Sequence, residues 1–197
     1  SHDVADVLAA AEARYQGQEV EIVVAEDRYA ARDALALIDV EYEPLEPVVD
    51  ARRALDPDVP LVRDEIAGRT DNHVFDWEVG DAAATEAAFA VADHVSTCDM
   101  LYPRVHPAPL ETCGIVAHVD AVTGRLVVHV TTQAPHAHRS LYSTITGIPE
   151  HRIRIVAPDI GGGFGNKVGM YPGYLCAVYA ATITGAPVKW TEDRSEN

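Results

Sequence analysis

"PDIGGGFGNKVG", residues 158–169, places three consecutive glycines, a phenylalanine and a fourth glycine between a strand-like run and a helix-like run. Glycines tolerate positive φ and let a ligand approach the backbone closely. Successive N–H groups in such a loop form an anion-binding concavity, and the helix that follows points the positive end of its dipole the same way. The stretch fits neither common phosphate motif. Val168 stands where G-x-x-x-x-G-K-[ST] needs a hydroxyl, and G-x-G-x-x-G is matched poorly. A tight packing turn is the plainer reading of the glycines alone. Phe164 weighs against it, because a large apolar side chain in a loop is costly unless it packs against something.

Working outward, "HRIRIVAP" (151–158) reads as a strand and "GYLCAVYAATITG" (173–185) as a helix ended by Gly185. "PVKWTED" (187–193) is a further strand. Upstream, "PHAHRSLYSTITG" (135–147) reads as a helix with Pro135 in its first turn and Gly147 at its end. Strands are expected near 94–102, 113–120 and 125–132, the last two joined by the turn "DAVTGR", with a helix over 81–93. The first third reads β-α-β. "EVEIVVAED" (19–27) alternates like a strand. A helix follows with Asp27 as N-cap and Ala30, Ala31, Ala34, Leu35 and Ile38 on one face, and then comes "DVEYEPL" (39–45). Residues 44–76 carry Pro44, Pro47, Pro57 and Pro60 among charged residues and read as a connector. Phe75 and Trp77 suggest that the strand after it is anchored. The expected class is α+β, with segments 1–70 and 71–197.

The chain has 197 residues, and 31 acidic against 15 basic residues give a net charge of −16. Nucleic-acid phosphates and anionic membrane surfaces both call for a basic face, so neither is an expected partner. No signal peptide opens the sequence. The most apolar stretch, Tyr171 to Val188, is broken by Pro172, Gly173, Gly185 and Pro187 and reads as a buried helix, not a transmembrane segment. Cys98, Cys113 and Cys176 are few, odd in number and widely spaced, which fits reduced thiols in a cytoplasmic protein. The missing initiator Met and the polar ending "KWTEDRSEN" read as an internal fragment of a longer protein.

Two further stretches carry chemistry-capable side chains. In "VTTQAPHAHR" (130–139), Gln133 sits between a strand end and a helix, where its amide can donate to an oxo group or accept from water. A surface Gln capping the helix is the alternative. His136 and His138 are two apart on a helix, so their rings diverge and do not share a metal. In "YPRVHPAPLETCG" (102–114), His106 and Glu111 could serve acid–base chemistry, or the stretch is a structured connector.

In combination, "VHPAPLETCG" (105–114), "TTQAPHAHR" (131–139), "GIPEHRIRIVAPDIGGGFGNKVGMYPGY" (147–174) and "PVKWTEDRSEN" (187–197) resemble the molybdenum-binding large subunits of the xanthine oxidase family of molybdenum hydroxylases, in their aerobic carbon monoxide dehydrogenase branch. Residues 15–55 resemble the end of that family's α/β hammerhead domain. The resemblance implies a hammerhead remnant over 1–70 and part of a mixed α/β molybdenum cofactor-binding domain over 71–197. It places Gly162, Gly163, Phe164 and Gly165 against the cofactor and makes Gln133 the catalytic amide that reaches an oxo ligand of molybdenum. No direct protein ligand to the metal is implied in this chain. Purine-hydroxylating relatives carry a glutamate four residues after the phenylalanine. Val168 occupies that position here, which favours oxidation of carbon monoxide to carbon dioxide with water as the oxygen source.

The implied cofactors are a molybdenum-pterin, as the cytosine dinucleotide, with iron–sulfur clusters on a small partner subunit and FAD on a medium one. The implied assembly is a dimer of heterotrimers. The active-site loop and the catalytic base are expected beyond Asn197, so the isolated piece is expected to be inactive, and Cys176 is not the active-site cysteine. Two alternatives stay open: an aldehyde-oxidising relative, and a non-catalytic piece that packs with partners or binds an anionic ligand.

Overall fold

The structure is a computed structural model that describes residues 7–197. Residues 1–6, the beginning of the expected 1–70 segment, lie outside the described residues. The chain divides into two compact units, one of residues 7–39 and 105–197 and one of residues 40–104.

The first unit is organised by a four-stranded mixed sheet in the order β3-β2-β1-β4. Strands β1 (Gly114–Val119) and β2 (Leu126–Val130) form a hairpin with Ile115 opposite Val130 and Val119 opposite Leu126. The turn between them closes because Asp120 accepts from the N–H groups of Val122 and Thr123 while Gly124 takes φ 63°. β3 (Ile153–Val156) runs parallel to β2, and β4 (Val188–Thr191) runs antiparallel to β1.

Helices α3 (Pro135–Thr146) and α4 (Pro172–Thr184) are punctuated alike. Each starts with Pro at its first position, where the missing N–H costs nothing, and stops at a left-handed glycine, Gly147 or Gly185. Alternation along the strands puts Ile115, Ala117, Leu126, Val128, Val130 and Ile153 into one core with Tyr142 of α3 and Tyr174, Ala177, Val178 and Ala181 of α4. Gly173 in the first turn of α4 lies flat against Trp190 of β4. A Cβ there would come within 2.5 Å of the indole. Helix α1 (Arg28–Leu35) begins at Asp27, whose carboxylate accepts from the N–H groups of Tyr29 and Ala30, as the sequence predicts.

In the second unit no residue is buried. Its regular element is α2 (Ala82–Ala90), capped by Asp81. Ahead of it, Asn72 ties several turns together: its side chain accepts from Val62 N–H and donates to the carbonyls of Ala54 and Pro60. Residues 44–76 contain neither helix nor strand, as expected of a connector.

Three expected strands are absent. Residues 19–25, 39–45 and 94–102 have strand-like composition but no ladder. A strand exists by hydrogen bonding to a neighbour, and among the described residues none forms a ladder with these segments. Among the described residues, one bond, from Ala9 N–H to the carbonyl of Glu19, is all that touches the first of them in the manner of a ladder. Phe75 and Trp77, read as anchors, are exposed.

Candidate functional site

The glycine loop is built against two side chains, Gln133 and Glu111. Gln133 lies just past the end of β2, and its Oε1 accepts from the N–H groups of Gly165 at 3.1 Å and Lys167 at 3.2 Å. Its own N–H donates to the carbonyl of Lys167 at 3.0 Å. Two N–H donors demand an acceptor, which fixes the orientation of the side-chain amide and leaves its NH2 without a partner among the described residues. The side chain lies so close over Gly163 that a Cβ there would sit 2.3 Å from the Gln133 amide carbon. Only glycine fits.

The loop backbone is unusual. Gly162, Phe164 and Gly165 all take positive φ, at 95°, 52° and 89°. Phe164 is a non-glycine residue in the left-handed region, a conformation that costs energy and must be held by its surroundings. The residue is 73% exposed and its ring lies beside Gly162, so it does not pack into the core. The N–H groups of Gly163 and Phe164 meet no acceptor among the described residues. With the Gln133 NH2, they make a short row of unspent donors. The buried side-chain NH2 of Asn166, in the same loop, is also unpartnered.

The loop's exit is fastened to the end of β2 and to α3. Thr132 Oγ1 donates to the carbonyl of Lys167 and accepts from Ala134 N–H. His138 Nε2 lies 3.1 Å from the carbonyl of Val168, which can only accept, so that nitrogen carries the hydrogen. Burial pushes the His138 imidazole below its ordinary value, against the opposing pull of the Val168 and Gly169 carbonyls. It is a neutral fastener. His136, two residues away, is exposed, so the rings diverge as their spacing predicts. Tyr171 hydroxyl bonds the carbonyl of Asn166.

Glu111 does not meet His106. His106 Nε2 is bonded to Asn197, while Glu111 Oε2 accepts from Gly161 N–H and Lys167 Nζ, each at 2.7 Å. The Lys167 ammonium holds the Glu111 carboxyl below the usual carboxylate range, helped by the Gly161 N–H and opposed by partial burial. Sequence reasoning missed this pair. Lys167 stood in plain view within the motif, and Glu111 was weighed only as a partner for His106. Cys113 is buried, and burial above all pushes its thiol up to about 11, so it is no poised nucleophile.

Donors left unspent in this way suit an electron-rich group carrying oxo or phosphate oxygens. Residues 66–197 match the family described as the molybdopterin cofactor-binding domain. The chain belongs to that family. Residues 1–46 match a second family, the a/b hammerhead domain of aldehyde oxidase and xanthine dehydrogenase. Among similar proteins is the carbon monoxide dehydrogenase large chain of Hydrogenophaga pseudoflava, 53% identical over 99% of this chain and 25% of its own length. The nicotine 6-hydroxylase large subunit of Paenarthrobacter nicotinovorans is 38% identical over 97% of this chain and 23% of its own. In structure, the chain is similar to reconstituted CO dehydrogenase from Oligotropha carboxidovorans, with a TM-score of 0.87 at 52% identity over 97% of this chain and 25% of that one. The chain thus spans about a quarter of the length of these relatives. Among the described residues no helix is long and apolar enough to cross a membrane.

Proposed function

We propose that this chain forms the part of a molybdenum hydroxylase large subunit that holds one side of the cofactor, in an enzyme that oxidises carbon monoxide. The observation that carries the reading is the capture of Gln133 Oε1 by the Gly165 and Lys167 N–H groups, which leaves the amide NH2 free beside the unpartnered N–H groups of Gly163 and Phe164. In this reading Gly162, Gly163, Phe164 and Gly165 line the cofactor and the Gln133 NH2 donates to an oxo group on it. The backbone donors hold negative charge without a lysine or arginine having to move. The cofactor supplies the redox chemistry. The overall change is balanced: carbon monoxide and water give carbon dioxide, two protons and two electrons.

Val168 supports carbon monoxide over a heterocyclic substrate. It is apolar and half-exposed, so its side chain offers a polar ring no hydrogen bond. The cofactor is the cytosine dinucleotide form. Electrons leave through iron–sulfur clusters on a small subunit to FAD on a medium one, in a cytoplasmic dimer of heterotrimers. We place the boundary between the hammerhead and cofactor segments near residue 70; the family matches at 1–46 and 66–197 leave a gap at 47–65, just ahead of it.

The test is dye reduction by the complete enzyme, with its partner subunits and full molybdenum content. Carbon monoxide is expected to drive sustained turnover and nicotine is not. Turnover on nicotine or an aldehyde, with none on carbon monoxide, overturns the substrate assignment. The 197-residue chain alone, supplied with cofactor, is expected to show no turnover.

A further inference from the structure

We propose that the Glu111–Lys167 ion pair is a positioning device for Gln133: a staple that ties the beginning of the glycine loop to its end and thereby sets where the Gln133 amide stands. The inference rests on the reading that this amide donates to the cofactor.

A single oxygen, Glu111 Oε2, bridges two points six residues apart in sequence, Gly161 N–H and Lys167 Nζ, both at 2.7 Å. Between them lie the loop's positive-φ residues, Gly162, Phe164 and Gly165, of which Phe164 is the strained one. The Lys167 side chain is 0% exposed and that of Glu111 is 39% exposed, so the ammonium is the buried partner and the carboxylate sits near the surface. An ammonium without a carboxylate is strongly disfavoured at such a site. Lys167 is therefore held wherever Glu111 is.

The backbone of Lys167 passes that placement on. Its N–H donates to Gln133 Oε1, and its carbonyl accepts from Gln133 N–H and Thr132 Oγ1. Gln133 thus meets Lys167 at both its side chain and its main chain, with Gly165 N–H as the second donor to Oε1. Gly161 shows how close the fit is at the other end, since a Cβ there would lie 2.6 Å from Glu111 Cβ. Lys167 Nζ is enclosed and does not reach the donor row, so it acts through Gln133 and not on the cofactor directly. A methionine would fill the same volume without needing a carboxylate. What the ion pair adds is a fixed geometry.

The test uses the complete enzyme with Lys167→Met, Glu111→Gln, Gln133→Ala and the double variants that combine each of the first two with Gln133→Ala. Three quantities are read: amide hydrogen exchange at Gly161, Gly165 and Lys167, molybdenum content, and kcat and KM for carbon monoxide. Lys167→Met is expected to speed exchange at Gly165 and Lys167 by about tenfold or more. It should lower kcat by roughly tenfold with molybdenum retained to within about twofold, and add nothing to the loss caused by Gln133→Ala. Glu111→Gln keeps an oxygen for both donors but no charge, and should fall between Lys167→Met and the parent. Unchanged exchange, or losses that multiply in the doubles as for independent sites, overturns the proposal. If Lys167→Met does not fold, Glu111→Gln, altered nearer the surface, decides by the same coupling. Normal turnover in Gln133→Ala sinks the proposed function instead, while the exchange rates still report whether the staple exists.

Discussion

Helix α2, "AAATEAAFA", and helix α4, "PGYLCAVYAATIT", are apolar around most of their circumference, and their surroundings are opposite. α4 buries Tyr174, Ala177, Val178, Ala180 and Ala181, whereas α2 buries nothing and leaves Phe89 57% exposed. Composition sets what a helix is able to bury. A matching sheet face sets what it does bury, and within its own unit α2 has none. The loop that carries the unspent donors is fastened to the end of β2 and to Tyr171 at the beginning of α4, so the better packed region is also the one that holds it.

The contrast is broken most forcefully in the core of the sheet unit. Leu126 is 1% exposed, and Leu126→Ala should cost about 2–5 kcal/mol in a denaturant titration of the chain. A loss below about 1 kcal/mol would mean that the sheet is no better packed than the second unit. Gly173→Ala comes next. The added methyl must displace the Trp190 ring, at about 1–3 kcal/mol, against a helix-propensity gain of up to about 1 kcal/mol, so a net loss is expected. Phe89→Ala marks the other extreme and should shift stability by less than about 0.5 kcal/mol.

The ion pairs sharpen the same contrast. Arg52 holds the Asp50 carboxyl below its ordinary range in the second unit, as Lys167 does for Glu111 in the first. Asp50 and Arg52 are exposed, so salt near about 0.5 M should screen them while leaving the buried ammonium of Lys167 paired. Because the Glu111 carboxyl is lowered, its contribution to stability is full above its ordinary value of 4.5 and is lost as pH falls through the depressed one. Amide exchange at Gly161, corrected for its intrinsic pH dependence, should be flat above about pH 5 and rise only on strong acidification. A rise already at pH 6 would contradict the pairing.

Much of the sheet unit was legible in the sequence because its signals are local. Pro135 and Gly147, Gly185, and the "DAVTGR" turn mark their own elements by backbone chemistry that no tertiary contact needs to supply, whereas Pro172, read only as a break in an apolar stretch, in fact opens α4. The strands read at 19–27, 39–45 and 94–102 failed for the complementary reason. Alternation is local, but a ladder is not. At the site, the motif pointed to the loop and to Gln133. It could not show that Gly163 is glycine because Gln133 lies over it, nor that Glu111 crosses 56 residues of sequence to reach Lys167. Those are facts of packing.

Under the proposed function, Gln133 is held by the loop so that its NH2 can donate. The most direct test of this is kcat/KM, molybdenum content and melting temperature for Gln133→Ala and Gln133→Glu in the complete enzyme. A hydrogen bond to a charged group contributes about 1.5–3 kcal/mol, so Gln133→Ala should lose roughly ten- to a hundredfold in kcat/KM. Molybdenum content and melting temperature should be nearly unchanged. Gln133→Glu should lose more, because a carboxylate keeps the acceptor for Gly165 and Lys167 but turns a negative oxygen towards an electron-rich group. Normal turnover in both variants at full molybdenum content would contradict the account.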